Sequence, residues 1–306
     1  MNSRTRLLAR LGFAVLAVYL VISVTFLVIV FTPDVNLKAK LGAAMMGGAT
    51  PEEMEQLRET YMATRGRDRP LLHRYVDWLV DITLFRWGVS PSMGEPVTGL
   101  VADATVETAK YLVPGTVAAW VLGVAGGLRS ARDPGTRFDR AGRMATYALL
   151  GMPGFWLAYV ALVAIDGAGQ LTYDVVVPAG VVAAALLAGQ VSLTRSASID
   201  EFDADYVRYL RAKGLSELGV DRRVLRNVLV PVLSMTAAEL FSVLVLSVVV
   251  IESLLGIEGI GRLTYEAARN NDIPLILGST MVLIVVGIGG SVACDLASAL
   301  LDPRSR

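Results

Sequence analysis

The chain has 306 residues with no formal net charge, of which 54% are hydrophobic and only 18% are charged. Its mean hydropathy of +0.55 excludes an ordinary soluble domain and indicates a membrane protein. The absence of a basic surplus argues against a nucleic-acid partner. A single Cys and a single His leave no disulfide framework and no His/Cys metal centre, so we expect no metal and no cofactor.

The sequence also lacks the motifs of common catalytic sites. It contains no phosphate-binding G-x-x-x-x-G-K-[ST] loop, no nucleophile elbow and no H-E-x-x-H motif. We therefore predict no catalytic residues and no enzyme activity. If ATP drives this protein, another chain must bind it.

The first apolar run, Leu11–Phe31, has about the 20 residues that a bilayer core requires. Arg4, Arg6 and Arg10 precede it and place the N-terminus in the cytoplasm. The run is longer than the apolar part of a signal peptide and no small-x-small cleavage site follows, so we predict a retained span. Five further spans are predicted at Tyr111–Leu128, Met144–Ile165, Val175–Thr194, Val232–Leu255 and Leu275–Leu300.

Residues 33–105 are mostly polar and predict a helical segment outside the membrane. The string Thr50-Pro51-Glu52-Glu53 is a capping box, which predicts a helix over Pro51–Thr64. A second amphipathic helix is predicted over Pro70–Phe85. His73 lies in this second helix, where a surface or packing role is favoured over a ligand role.

Two of the predicted spans carry signs of close packing or bending. Small residues let membrane helices approach closely, so we predict that the second span packs inside the bundle. Its small residues include Gly115, Gly123, Gly126 and Gly127. Pro153-Gly154 predicts a kink in the third span.

The placement of arginines predicts the topology. The loop after the second span is cytoplasmic by the positive-inside rule. Its arginines are Arg129, Arg132, Arg137, Arg140 and Arg143. The loop Asp166–Asp174 has no Lys or Arg and is therefore external, whereas Arg304 and Arg306 place the C-terminus inside. The predicted fold is all-α, with six transmembrane helices, a helical external insertion after the first span, and both termini in the cytoplasm.

Residues 196–231 form a polar segment between the fourth and fifth spans, and one amphipathic helix is predicted at its start. The apolar stripe of this helix comprises Phe202, Tyr206, Tyr209 and Leu210. Gly214 suits its C-terminal end, and a second short helix is predicted from the N-cap Ser216 to near Asn227. Two such helices joined by a glycine turn either bind a soluble partner or form a solvated connecting loop. The sequence pattern alone favours neither interpretation.

Carboxylates also occur inside the predicted spans. Glu239 falls about two turns into the fifth span, where a carboxylate is costly to bury in hydrocarbon. Glu239 therefore either lines a polar translocation path or forms a hydrogen-bonded contact between helices. The sequence favours neither role over the other. Glu252 lies near the other end of this span, and Gly256–Leu263 follows it, which by spacing alone is only a Gly-rich turn.

Several strings of the sequence resemble one family of transport proteins. They are D-Y-V-R at 205–208, R-A-K-G-L at 211–215, G-I-G-R-L at 259–263 and L-D-P-R at 301–304. They are similar to the permeases of binding-protein-dependent ABC transporters and, among these, to the dipeptide/oligopeptide (and nickel) branch. Glu258 stands where this branch carries Pro.

The resemblance implies that residues 196–231 form the cytoplasmic coupling loop that docks on an ATP-binding subunit. The residues implied to transmit its motion are Asp205, Tyr206, Tyr209, Arg211, Ala212, Lys213 and Gly214. An external mouth is implied for Gly259, Gly261 and Arg262, and a place on the translocation path for Glu239 and Glu252.

The resemblance further implies a permease subunit of an ATP-driven importer in the cell membrane, translocating peptides or similar small solutes delivered by an extracytoplasmic solute-binding protein. The implied partners are two ATP-binding subunits, a second homologous permease and the lipid bilayer. The chain is then divided into three regions: residues 1–32 with the cytoplasmic N-terminus and the first span, the external helical segment 33–105, and the permease core 106–306. The residues leave open a stand-alone transporter driven by an ion gradient, for which Glu239 and Asp295 could carry protons.

Overall fold

The computed structural model describes residues 3–31, 35–64, 69–164, 169, 172–242 and 248–301. Within these residues the regular structure is helical, with one isolated bridge between Val89 and Pro96, which confirms the all-α prediction. The helices are α1 (Ser3–Phe31), α2 (Val35–Met46), α3 (Pro51–Thr64), α4 (Leu71–Thr83), α5 (Val97–Arg132), α6 (Arg137–Leu150), α7 (Gly154–Ala164), α8 (Val177–Asp203), α9 (Asp205–Ala212), α10 (Glu217–Ser242), α11 (Val248–Leu255), α12 (Ile260–Arg269) and α13 (Ile273–Leu301).

Three described helical segments are long and apolar enough to cross a membrane: Val97–Arg132, Thr172–Asp203 and Ile273–Cys294. A fourth arises if α6 and α7, which are bent by 99° at their junction, form one span. In α1, Gly12–Val28 is a shorter apolar helix. By length and composition the described residues thus hold three or four candidate spans, and the six-span topology stays a prediction.

The predicted kink at Pro153-Gly154 is a complete break between α6 and α7. Proline cannot donate a backbone hydrogen bond and clashes with the preceding helical turn. α6 accordingly stops at Leu150, and the new helix starts after Pro153, whose carbonyl accepts the N–H of Trp156 at 2.9 Å. The segment predicted as one kinked span over Met144–Ile165 is thus broken into two helices, and whether the pair crosses the membrane as one span stays a prediction; Ile165 lies outside the described residues.

The helix predicted to end at Thr194 instead continues to Asp203, after a π-helical start at Thr172–Val176. The reason is a buried row at every fourth residue, which keeps one face of the helix packed well beyond the apolar run. The row comprises Gln190, Thr194, Ser198 and Phe202. The first part of the segment 196–231 is thus the end of a long helix.

The chain forms two compact units, the first comprising Met1–Ala14, Asp103–Leu263 and Leu283–Arg306. In this unit α8 packs against α6, α7, α9 and α10. Glycines of α5 allow close contact with α8, because a Cβ on Gly115 would lie only 2.6 Å from the carbonyl oxygen of Ala179. The predicted role of the small residues in the second span is thereby confirmed at Gly115, and equally at Gly123 and Gly127, where a Cβ would clash with α8.

We expect Gly127→Ala to lower the free energy of unfolding by about 1–3 kcal/mol through overpacking. The added Cβ would lie 2.7 Å from Thr194 Cβ and 2.8 Å from the Val191 carbonyl oxygen. The measurement is thermal unfolding of the purified protein in detergent. Gly126→Ala is the matched control, because its Cβ would meet only Val191 Cγ2 at 3.6 Å. Equal unfolding temperatures for the two variants would contradict the prediction.

A buried carboxylate of the first unit, Asp139, ties three of its helices together near the start of α6. It accepts hydrogen bonds from Ser130 Oγ at 2.5 Å, from the Gly135 N–H at 2.9 Å and from Arg195 Nε at 2.6 Å. Ser130 belongs to α5 and Arg195 to α8. The ends of α5 and α8 next to the polar segment are therefore fixed to each other through one side chain.

The second unit comprises Val15–Ala102 and Thr264–Val282. Helix α3 has the predicted bounds Pro51–Thr64, and its predicted capping box is present. The Glu53 N–H donates to Thr50 Oγ1 at 3.3 Å, and the Thr50 N–H donates to Glu53 Oε2 at 2.8 Å. Helix α4 packs on α1, where Phe26 lies 5.2 Å from the Trp78 ring and 5.3 Å from the Tyr75 ring, measured between centroids.

Asp272 joins the loop after α4 to the start of α13 in this unit. Its Oδ2 accepts from Ser90 Oγ at 2.5 Å and from Ser92 Oγ at 2.6 Å, while its Oδ1 accepts the Leu275 N–H at 3.1 Å. Burial alone would raise the pKa of Asp272, but these hydrogen bonds outweigh burial and hold the pKa below its usual range. The carboxylate therefore stays charged and keeps the loop attached.

Candidate functional site

The polar segment between α8 and α10 contains a short separate helix, α9. Ala204 interrupts the chain between α8 and α9 with extended backbone angles (φ −66°, ψ 145°). The predicted apolar stripe is therefore wrong in two places: Phe202 belongs to α8, and Tyr209 on α9 is 59% exposed. The break rotates α9 relative to the preceding helix, so its buried face is set by Val207 and Leu210.

The buried face of α9 is anchored in a hydrophobic cluster. Val207 is fully buried and packs, with Leu210, among apolar side chains of α5, α8 and α10. The neighbours include Leu128, Phe202, Val220, Val224 and Val228. Helix α9 is thus held rigidly on the ends of three longer helices.

A polar contact reinforces this anchor. The Tyr206 hydroxyl donates to Glu201 Oε2 at 2.5 Å, and Asn227 Nδ2 donates to Glu201 Oε2 at 3.1 Å and to the Tyr206 oxygen at 3.3 Å. Burial and the adjacent Glu201 carboxylate raise the pKa of Tyr206 to about 12. Tyr206 therefore stays neutral and connects α8, α9 and α10, so its contacts lie within the chain.

We expect Tyr206→Phe to destabilise the protein by about 1 kcal/mol, because Glu201 and Asn227 each lose a hydrogen-bond partner. The measurement is the thermal unfolding midpoint in detergent. Tyr209→Phe is the matched control, since it removes the same hydroxyl from an exposed ring on the same helix. An unchanged midpoint for Tyr206→Phe would mean that the polar contact does not hold α9.

Helix α9 ends in a Schellman motif at Gly214. The Gly214 N–H donates to the Arg211 carbonyl at 2.9 Å, and the Leu215 N–H donates to the Leu210 carbonyl at 3.2 Å. Gly214 has φ +80°, in the left-handed region that favours glycine. The predicted helix end is confirmed, and so is the N-cap Ser216, whose Oγ accepts the Gly219 N–H at 3.3 Å.

The opposite face of α9 and the turn after it form an exposed surface, the docking face, made of Tyr209, Arg211, Lys213, Leu215 and Leu218. Lys213 Nζ lies 4.6 Å from the centroid of the Tyr209 ring, and Arg211 Nε donates to Glu217 Oε1 at 3.2 Å. Leu218 is 80% exposed. The docking face combines cationic groups with uncovered apolar area, a composition suited to protein contact.

The other predicted coupling residues lie beside the docking face. Asp205 is exposed and pairs with Arg208 at 3.4 Å, and Ala212 is exposed. The predicted end of the second helix near Asn227 is wrong, because α10 runs without interruption from Glu217 to Ser242 and includes Pro231. Sequence reasoning expected Pro231 to open a new helix, as it does in soluble proteins, but helix interiors of membrane proteins tolerate proline.

A second cluster surrounds the turn after α11 and contains four predicted site residues. The Glu252 carboxyl is fully buried and accepts from Thr108 Oγ1 at 2.5 Å, from the Tyr111 hydroxyl at 2.8 Å and from the Arg262 N–H at 2.9 Å. The Arg262 guanidinium donates to the Gly256 carbonyl at 2.8 Å. The cluster therefore joins α5, α11 and α12, and Glu252 lies inside protein.

The two predicted glycines of this turn allow the close packing. A Cβ on Gly259 would collide with the Glu252 carboxyl and lie 2.5 Å from Thr108 Oγ1, and one on Gly261 would lie 2.7 Å from the Val249 nitrogen. The sequence analysis did not identify Thr108 and Tyr111 as partners of Glu252, because no sequence motif marks these two residues of α5. Glu239 lies in α10, away from this cluster in sequence, and its side chain is outside the described residues.

These features define a class of protein: a helical membrane protein that holds one short amphipathic helix rigidly on its surface for a partner. The sequence matches the family described as binding-protein-dependent transport system inner membrane component over residues 123–306. The chain belongs to this family, and it is a permease subunit of an ABC importer. Such importers work with ATP-binding subunits and substrate-binding proteins, so the alternative of a stand-alone ion-gradient transporter is not supported.

Curated relatives match over nearly the full length. The chain is 27% identical over 292 residues to the metal-staphylopine import system permease protein CntB of Staphylococcus aureus (strain NCTC 8325 / PS 47), covering 92% of both chains. It is 28% identical over 290 residues to the oligopeptide transport system permease protein AppB of Bacillus subtilis (strain 168), covering 88% of this chain and 92% of the relative.

Proposed function

We propose that α9 is the coupling helix of this permease and that its docking face binds an ATP-binding subunit. The observation that carries the proposal is the division of α9 into a buried face, anchored by Val207 and Leu210, and an exposed face with Tyr209 and Lys213. A helix anchored on three others transmits force, whereas a loosely attached loop would absorb it. This favours the partner-binding alternative for residues 196–231 over a merely solvated loop.

The transport cycle that we propose is alternating access. Two ATP-binding subunits close on ATP, draw together the coupling helices of this chain and of a second homologous permease, and thereby reorient the path between them. An extracytoplasmic solute-binding protein delivers the solute. This chain supplies mechanical contact and a path, and bond chemistry takes place in the ATP-binding subunits.

The proposed substrates are peptides or similar small solutes. The relatives include a permease named for oligopeptide transport and one named for metal-staphylopine import. Peptides carry carboxylates, amines and a polar backbone. A path for them must be wide and polar, without a narrow ion-selective filter.

We further propose six spans with both termini in the cytoplasm, from the arginine placement described above. In this topology the segment 33–105 is external, 1–32 holds the first span and 106–306 is the permease core. Gly259, Gly261 and Arg262 then lie at the external mouth, and Glu252 fixes the wall of the path. Glu239 falls within the fifth span of this topology, where the cost of exposing a carboxylate to lipid favours a role on the translocation path.

The test is ATPase activity of the complex reconstituted in lipid, with Tyr209→Ala/Leu218→Ser as the variant of the docking face. We expect this chain to co-purify with an ATP-binding subunit, and we expect solute-stimulated hydrolysis to fall about tenfold or more in the variant. Both side chains are exposed, so folding should be unaffected.

The matched control is Leu72→Ser, which removes a 70% exposed leucine from α4 in the other unit. The control should retain full stimulation. Wild-type stimulation in the docking-face variant, with the ATP-binding subunit still bound, would contradict the coupling role of α9. Transport by this chain alone would contradict the proposed cycle.

A further inference from the structure

A cavity of about 430 Å³ opens in the second unit, and its lining residues belong to neither of the clusters described above. One wall is apolar and comes from Phe26 and Val30 of α1 and from Ile273 and Leu277 of α13. Trp78 of α4 lies beside this wall. The cavity thus adjoins two of the most apolar helices in the chain.

The remaining wall of the cavity is charged. Arg74, Asp77 and Asp81 recur on one face of α4, and Arg69 and Arg86 complete the lining. Arg69 pairs with Asp77 at 3.4 Å. Arg74, Asp81 and Arg86 form no salt bridge with any residue in the described part of the chain. Two cations and one anion are therefore available to a ligand.

The position of the cavity along the apolar helices favours a ligand that has both a charged part and a hydrocarbon part. In the proposed topology, Phe26 and Val30 lie at the external end of the first span, and Ile273 and Leu277 lie at the external end of the last. Tryptophan is enriched at this level of a bilayer, where headgroups meet acyl chains, and a long arginine side chain can extend its charged end to the headgroups. A ligand there meets charge on one side and hydrocarbon on the other.

We infer that this cavity binds a phospholipid with a phosphate and an ammonium in its headgroup, namely phosphatidylethanolamine. Arg74 and Arg86 match the phosphate, since guanidinium groups form strong charge-assisted bonds to phosphate oxygens. The Asp81 carboxylate matches the ammonium. An acyl chain lies along Phe26 and Leu277. The inference depends on the proposed topology for the position of the cavity.

The test measures lipid binding to the purified complete complex in detergent, by native mass spectrometry during titration with phosphatidylethanolamine. We expect Arg74→Gln/Arg86→Gln to weaken retention of this lipid about tenfold, as expected for loss of charge-assisted bonds. Arg58→Gln is the matched control, because Arg58 is an exposed arginine of α3 that pairs with Glu55 and does not line the cavity. The control should bind like the wild type.

Asp81→Asn tests the contribution of the ammonium group separately from that of the phosphate. It should weaken phosphatidylethanolamine but not phosphatidylglycerol, which has a phosphate without an ammonium. Equal retention by the wild type and the arginine variant would overturn the inference, as would displacement of the lipid by inorganic phosphate alone. Lipid retention is measured without ATP or solute, so a failure of the proposed transport cycle would leave this result interpretable.

Discussion

Replacing Gly214 with Asp is expected to abolish solute uptake while the chain still inserts in the membrane. Gly214 has φ +80° with open space around its Cα, so a side chain fits sterically but strains the backbone by about 1–2 kcal/mol. This cost is small for folding. However, the new carboxylate would lie next to Arg211 and Lys213 of the docking face and would shift the turn that ends α9. Uptake of a labelled peptide by cells, with membrane content measured by immunoblot, checks both parts.

The matched control for this variant is Gly48→Asp. Gly48 has φ +83° and open space like Gly214, but it lies in the turn between α2 and α3. It therefore carries the same strain and the same charge at a place with no proposed partner. Gly48→Asp should keep at least half of wild-type uptake. Normal uptake in Gly214→Asp would count against coupling through this turn.

Replacing Glu252 with Ala is expected to destabilise the permease by about 3 kcal/mol or more and to abolish uptake. The change leaves the Tyr111 hydroxyl and the N–H groups of Gly261 and Arg262 without their acceptor in a buried place. Each unsatisfied buried donor costs about 1–3 kcal/mol. The corresponding drop in unfolding temperature is roughly 6 °C or more, measured in detergent by differential scanning fluorimetry.

Glu258→Ala is the control for Glu252→Ala. Glu258 lies on the same turn and is exposed, so its loss removes a carboxylate without uncovering buried donors. Its unfolding temperature should match the wild type. If the two variants unfold at the same temperature, the buried cluster does not stabilise the turn after α11.

Helix ends that depend on local chemistry could be predicted from the sequence. The capping box at Thr50-Pro51-Glu52-Glu53 gave the correct start of α3, and the N-cap Ser216 gave that of α10. Gly214 marked the end of α9. In each case the group that satisfies the free backbone N–H or carbonyl lies within a few residues, so the local string contains the information.

Helix ends and contacts that depend on tertiary packing could not be predicted. The continuation of α8 past Thr194 depends on a row of buried side chains that pack on neighbouring helices. The composition of this segment is polar and does not reveal the buried row. The break at Ala204 has no proline or glycine to mark it. Thr108 and Tyr111 became visible as partners of Glu252 only because the fold brings together residues more than 140 positions apart.

The unbroken course of α10 has a mechanical consequence. Its 26 residues amount to about 39 Å of continuous helix, with the docking face at one end and the proposed membrane portion at the other. A tilt of about 10° at the first turn would displace the far end by about 7 Å, the width of a peptide backbone with its side chains. In the proposed topology, a small movement of the docking face would thus be enlarged by leverage before it reaches the depth of the bilayer.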